Sequence, residues 1–429
     1  MTVLELGYIP IEEIEWGPKT FVQDAVLCVH REELIEKARG DDPRIASATA
    51  HIAKPGESVR IVPVKDVIEP RVKVEGKGGI FPGLISGVES VGSGRTHVLR
   101  GCAVVTAGQV VGVQEGLIDM SGPGARYSPF SKTLNVVLAI DVKHGISQHE
   151  HEEALRLAGL RAATYLGEAG RRVEPVAMDR FEVRPPFRRK GENNDLPGLV
   201  YVYMLLSQGL LHDTYLYGQN VASLLPTIMM GTEVMDGAIV SGNCVSACDK
   251  NTTYHHQNNP VIQELFRRDG VDLRFLGTVV GNCNVTLRDK MRSAQYGVKV
   301  VESLGADGAI ITKEGFGNPD ADAMMYCTGL EEKGIRTVMI ADEFAGVDGA
   351  SQSLADTSPR ADAVVSAGNA NERISLPPMD KVIGDVRVIE KMAGIPCGSV
   401  AKQDVAVELQ AILGATNELG FGLLSAREE

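Results

Sequence analysis

The 429-residue sequence lacks an excess of positive charge, and its formal net charge is -13. That balance excludes a dedicated nucleic-acid binder, which needs clustered Lys and Arg to displace counterions from phosphates. Nor does any stretch approach the roughly 20 uninterrupted apolar residues that span a bilayer. The first fifteen residues carry Glu5, Glu12 and Glu13, where a secretory signal would be basic and then apolar, so a cytosolic protein without membrane contact is expected. Aromatic residues are scarce at 5%, with a single Trp, which leaves Val, Ile, Leu and Ala to fill the core. Cysteines number seven, an odd count scattered over a long chain, and this argues against a secreted disulfide framework.

What is present is an α/β pattern. Residues 59–75 read VRIVPVKDVIEPRVKVE, rich in β-branched side chains and broken by Pro63 and Pro70, which suits short or edge strands. Apolar runs at 102–105, 110–113 and 134–140 continue a strand-rich stretch, so residues 1–145 are expected to form a β-rich N-terminal domain. Ser147 is an expected helix N-cap, with Glu150, Glu152 and Glu153 in the first turn, where the helix dipole favours negative charge. Residues 146–197 then read as this helix and a polar linker containing paired prolines.

From 198 to 429 strands and helices alternate, with strands expected at 200–206, 221–227, 238–241, 275–280, 309–312, 337–341 and 363–366. Leu287, Met291, Ala294, Val298 and Val301 recur at helical spacing. Asn318, Pro319 and Gly334 can cap, start and end the next helix. Such alternation implies a doubly wound, mostly parallel sheet with functional loops at the carboxyl ends of its strands.

The most reactive segment is GAIVSGNCVSACDKNTTYHHQNNP, residues 237–260. Three chemistries fit its residues. In one, the Cys244 thiolate attacks the carbonyl of Asn243 and the chain cuts itself, with Gly242 easing the backbone shift. Elimination at the Cys244 β-carbon, then hydrolysis, would leave a pyruvoyl group. In the second, Asn243 cyclises and leaves a free N-terminal Cys244, as in a hydrolase. In the third, Cys244, Cys248, His255 and His256 hold zinc, although adjacent histidines are not the usual spacing. Asn282-Cys283 is a second Asn-Cys pair, so the dipeptide alone decides nothing. Lys250, His255 and His256 could move protons for processing or imine formation. Cys248 reads as a packed neighbour of Cys244 or a second thiol.

Other residues invite weaker readings. His212 and Asp213 follow an expected strand; His149 and His151 lie at an acidic helix start. Residues 92–95 (GSGR) read as a turn more readily than an anion cradle, and residues 368–371 (GNAN) could line the same crevice as Cys244.

Residues 237–260 closely resemble the processing region of component B of the glycine, sarcosine and betaine reductases. So do residues 53–76, 118–138, 148–170, 201–218, 314–322 (EGFGNPDAD), 348–356, 376–384 and 414–422 (GATNELGFG). The resemblance covers nearly the whole chain. It implies a proprotein cleaved between Asn243 and Cys244, whose Cys244-derived pyruvoyl group forms a Schiff base with a small amino-acid substrate for reductive deamination. It also implies partners: a selenocysteine-containing subunit of component B, selenoprotein A, and component C, which releases acetyl phosphate. Glycine is the expected substrate, with sarcosine, betaine and an uncleaved scaffold subunit as alternatives.

Overall fold

The structure is a computed structural model that describes residues 2–110, 115–183, 195–208, 213–242, 250–396, 398–399, 403–422 and 425–426. It is a mixed α/β protein with several sheets. The expected strand run at 110–113 falls mostly outside the described residues.

The strand Val59–Ile68 is buried along its whole length, and it is interior to its sheet, flanked by Gly116–Asp119 and Cys102–Ala107. Pro63 had suggested a short or edge strand. The structure accommodates it because the register slips on both sides, between Gly116 and Ile118 and between Val64 and Asp66. Such irregularities are where a strand tolerates a missing N–H, and the Pro63 carbonyl still accepts from Gly108 N at 3.0 Å. Lys381–Gly384, from far along the chain, pairs in parallel with Val59–Val62. A second sheet joins Ala177–Val183, Thr2–Pro10, Gly94–Arg100 and Arg71–Glu75.

Helix α1 (Gln148–Glu168) begins at the expected Ser147 cap, with Glu150 N donating to Ser147 Oγ and Glu150 returning a carboxylate to Ser147 N. Its Ala154, Leu155, Ala158, Ala162 and Ala163 enter the core beneath the strands. Small residues let the helix lie close: a Cβ on Gly167 would fall 2.1 Å from the Arg71 carbonyl.

The parallel sheet is built from β1 (Gly198–Leu206), β2 (Arg274–Cys283), β3 (Gly308–Lys313), β4 (Arg336–Glu343) and β5 (Val364–Asn369). Their spatial order is 2-1-3-4-5, with Thr227–Met229 added antiparallel outside β2 and Ser425–Ala426 outside β5. Between β1 and β2 lie α2 (Thr253–Gln257) and α3 (Pro260–Arg268); α4 (Leu287–Ser303) and α5 (Asn318–Glu332) follow β2 and β3. Ile262 and Leu265 of α3 cover one face with Tyr201, Tyr203 and Phe275. Val298, Val301, Met324 and Leu330 of α4 and α5 cover the other with Val200, Val202 and Ile311.

Two expected strands differ. Residues 221–223 form a 3-10 turn because Asn220 Oδ1 captures Ala222 N at 2.8 Å, offering the backbone a local partner in place of a ladder. Ile239–Ser241 is a strand, but it pairs antiparallel with Thr214–Leu216 in a small separate sheet.

Candidate functional site

In an open parallel sheet of order 2-1-3-4-5, the chain reverses direction of travel between β1 and β3, and the loops leaving their carboxyl ends open a crevice there. Glu314 stands immediately after β3. Its carboxylate accepts from Leu206 N, the last residue of β1, at 2.6 Å and from Asn251 N at 3.2 Å. Lys250 Nζ lies 3.2 Å from the same carboxylate and donates to Thr214 Oγ1. Lys250 and Glu314 are fully buried, so their pairing is shielded from water and salt.

The segment with Asn243, Cys244 and Cys248 lies outside the described residues, as does His212. Its two flanks, Gly242 and Lys250, are both buried. Gly242 N donates to Asp213 O at 2.9 Å. A Cβ on Gly242 would lie 2.8 Å from Glu152 Oε1 and 3.0 Å from the Tyr215 ring. Glu152 comes from α1 and is paired with Arg156 at 2.8 Å, whose guanidinium stacks 3.9 Å over Tyr215. Burial pushes the Glu152 carboxyl above its ordinary range, against the opposing charge of Arg156.

The two histidines of α2 face different surroundings. His256 shares a 2.6 Å hydrogen bond between Nδ1 and Tyr203 OH, and its Nε2 sits 3.8 Å from Glu314 Oε1 with no hydrogen-bond partner among the described residues. Burial, helped by the Lys250 charge, drives its pKa well below the usual value, so it is a neutral imidazole. His255 packs against Phe130 and Phe421, with ring centroids 5.0 and 4.7 Å away, and its Nδ1 accepts from Thr252 N at 3.1 Å. Burial alone lowers its pKa to about 3. His256 therefore borders the Lys250–Glu314 pair, whereas His255 caps α2.

Further groups that motif reading missed complete the site. Asn251 Nδ2 donates to Glu418 Oε1 at 2.7 Å and to Tyr203 OH at 3.2 Å, while Asn417 Nδ2 donates to Asn251 Oδ1 at 2.6 Å. Burial, and then the neighbouring Glu314, raise the Glu418 carboxyl well above its normal pKa. Asp66, from the interior strand Val59–Ile68, accepts from Thr253 N at 2.8 Å and Thr253 Oγ1 at 2.6 Å, and Thr253 Oγ1 accepts from Ser241 N. Burial lifts Asp66 to about 7. A neutral imidazole, a protonated carboxyl and a carboxyl titrating near neutrality thus surround the ends of one chain segment. Such a set can shuttle protons in both directions. The one available signal was position, since Glu314 lies two residues past the expected strand 309–312, and nothing in its spacing links it to Lys250, Glu418 or Asp66.

The remaining motif residues have structural partners. Cys283 is buried at the end of β2, its Sγ 3.7 Å from Glu314 O, and burial holds its thiol well above the usual pKa. Gly92 N donates to Asp236 Oδ2 at 2.7 Å, so the glycine turn at 92–95 binds a carboxylate of its own chain. Asn369 and Asn371 bond the backbone of residues 345–346. His149 is an exposed neighbour of Asp213 at 3.7 Å, and burial lowers the half-buried His151. Among the described residues no group of three His, Cys, Asp or Glu is placed to hold a metal ion, and no helix is long and apolar enough to cross a membrane.

The family model of the glycine/sarcosine/betaine reductase component B subunits matches residues 2–427. The chain is 56% identical over 425 residues to the glycine reductase complex component B subunits alpha and beta of Peptoclostridium acidaminophilum, covering 99% of both chains. It is 51% identical over 425 residues to that organism's sarcosine reductase complex component B subunit alpha, again covering 99% of both. A more distant relative is the D-proline reductase proprotein PrdA of Acetoanaerobium sticklandii, 23% identical over 376 residues, 81% of this chain and 55% of that one. No solved structure matches the chain.

Proposed function

Because the chain belongs to the family of glycine/sarcosine/betaine reductase component B subunits, we propose that it is the precursor of both the α and β subunits of component B in a glycine reductase-type complex. Its higher identity to the glycine than to the sarcosine relative favours glycine as the substrate. Cleavage between Asn243 and Cys244 would give fragments of 243 and 429 − 243 = 186 residues.

The Cys244 sulfur attacks the Asn243 carbonyl carbon; the C–N bond breaks, and the freed amine takes a proton. A base then removes the Cα proton of residue 244 as the Cβ–S bond breaks, leaving dehydroalanine on one fragment and a thiocarboxylate on Asn243. Tautomerisation and addition of water release ammonia and leave a pyruvoyl group; hydrolysis of the thiocarboxylate releases the sulfur. The observation that carries this reading is the burial of both Gly242 and Lys250 among Glu314, His256, Thr214 and Glu152. Buried acids and bases flanking a cuttable segment suit proton transfers that bulk water would blur.

The same groups fit a covalent carbonyl cofactor. His256 Nε2 has no hydrogen-bond partner among the described residues, and it offers a proton donor or acceptor beside Glu314. The pyruvoyl carbonyl supplies an electrophile for the substrate amine and an electron sink for its carbon–nitrogen bond. Glu418, held protonated, can donate, and Asp66 can hold or release a proton near neutral pH. The sequence contains no selenocysteine, so the reductive half of the reaction requires a selenocysteine-containing subunit, with selenoprotein A and component C completing the complex and forming acetyl phosphate.

Intact-mass spectrometry of protein isolated from its own cells, with peptide mapping around residue 244, tests this. The expected result is a fragment starting at residue 244 and lighter by about 33 Da than one with free N-terminal Cys, through loss of ammonia and hydrogen sulfide and gain of water. Full-mass N-terminal Cys would indicate Asn243 cyclisation, and a single uncut chain would leave a scaffold subunit; either result overturns the proposal.

A further inference from the structure

Strand β4 ends in Asp342 and Glu343, and these residues, with the chain at 351–362, line a cavity of about 630 Å3. Asp342, Glu343, Asp362, Ser353, Ser358 and Ser366 contribute acidic and hydroxyl groups, and none of the lining residues is basic. None of the Lys250, Glu314, His256 and Glu418 side chains lines this cavity. Lys313 and Glu314 are consecutive, and the side chain of Glu314 reaches Lys250 while that of Lys313 reaches Asp320 of α5 and Asp342 of β4.

Charge at this second site does not balance. Lys313 is fully buried; it lies 2.8 Å from Asp320 Oδ1 and 3.5 Å from Asp342 Oδ1 and donates to Gly315 O. One ammonium therefore faces two carboxylates. Asp320 is further supported by backbone donors, Gly317 N at 3.1 Å and Ala355 N at 2.7 Å. Asp342 is 2% exposed, and its Oδ2 has no hydrogen-bond partner among the described residues. Burial lifts the Asp342 carboxyl to about 6, so it is mostly ionised at neutral pH. A buried carboxylate oxygen without a donor is costly, and Asp342 forms part of the cavity wall.

We propose that this cavity binds a small organic ammonium ion that carries no carboxylate, with an N–H donated to Asp342 Oδ2. The volume is that of a small-molecule site and far exceeds a bare metal ion. Met324, Leu354 and Val364 on the wall accept alkyl carbons, while Glu343 and Asp362 oppose a ligand carboxylate. The amino-acid substrate proposed above is thereby disfavoured at this site, and the assignment stands without that proposal.

The test is calorimetric titration of the full chain with butylammonium chloride against sodium chloride of equal ionic strength, with glycine as the zwitterionic control. Saturable binding of butylammonium, and none of glycine, is expected. The same titration on Cys244→Ala excludes capture of the amine by a carbonyl derived from Cys244, and binding should persist. Asp342→Asn should weaken binding at least about tenfold. Should that variant fold poorly, Asp362→Lys, at an exposed lip, should weaken it several-fold. The proposal is overturned by absence of saturable binding, by equal binding of glycine, by loss of binding in Cys244→Ala, or by unchanged affinity in a folded Asp342→Asn or in Asp362→Lys.

Discussion

Lys250 Nζ and Glu314 Oε2 stand 3.2 Å apart with neither side chain exposed, and the pair joins the far flank of the reactive segment to the end of β3. The two partners are not equally supported. Glu314 keeps two backbone donors, Leu206 N and Asn251 N, if Lys250 is removed, whereas Lys250 keeps only Thr214 Oγ1 among its described side-chain contacts if the charge of Glu314 is removed.

Breaking a buried pair by neutralising one member costs about 3–5 kcal/mol, and the asymmetry predicts which substitution is worse. Glu314→Gln should lower the urea midpoint more than Lys250→Met, and the double variant should recover part of the loss. Equal losses that add in the double variant would show that the two groups do not stabilise each other.

His255 provides a pH test. Its ordinary pKa of 6.5 is lowered to about 3 by burial against Phe130 and Phe421. The folded-state value lies below the unfolded one, so the stability it contributes is fully present above 6.5 and is lost as the pH falls toward 3. Each unit below 6.5 removes about 1.4 kcal/mol. His255→Asn, whose side-chain oxygen can still accept from Thr252 N, should therefore lose less stability than the wild type between pH 7.5 and 5.5 in urea unfolding. Parallel losses would place His255 in a solvated setting.

How much of this was legible beforehand varies with the range of the interaction. The Ser147 cap and the helical spacing over α4 are local, and both were readable. The alternation after residue 198 announced a parallel sheet. Its 2-1-3-4-5 order was not readable, because it depends on which distant strands pair. The same limit hid Glu314, Glu418 and Asp66: no spacing rule links residues 66, 250, 314 and 418. Pro63 misled in the opposite direction, since a register slip allows proline in an interior strand. Residues 221–223 followed Asn220 into a turn that hydrophobic pattern alone does not reveal.

The two Asn-Cys pairs should differ in reactivity. Cys283 is fully buried at the end of β2, and burial raises its thiol well above the ordinary pKa. A thiol rather than thiolate is a poor nucleophile. Iodoacetamide applied to the native protein and followed by peptide mapping should leave Cys283 unlabelled, and Cys283→Ala should still yield the fragment beginning at residue 244. Rapid native labelling of Cys283, or loss of cleavage in Cys283→Ala, would contradict this.

Gly242 links packing to the proposed processing. Its backbone N–H is anchored on Asp213 O, and a Cβ would meet Glu152 Oε1 at 2.8 Å, Asp213 O at 3.0 Å and the Tyr215 ring at 3.0 Å. Glu152 cannot simply swing aside, because Arg156 holds it at 2.8 Å while stacking on Tyr215. Gly242→Ala should therefore displace the backbone one residue before the proposed scissile bond and cost about 1–3 kcal/mol, as overpacking does. Cleavage depends on sub-ångström alignment of sulfur and carbonyl, so its rate should fall by more than the stability change suggests. The measurement is the fraction of full-length chain against time after synthesis, by intact mass, alongside the urea midpoint. Slow cleavage with a modest midpoint shift would tie the buried Glu152–Arg156–Tyr215 wall to alignment of the junction. Wild-type cleavage in a destabilised Gly242→Ala would confine that wall to packing.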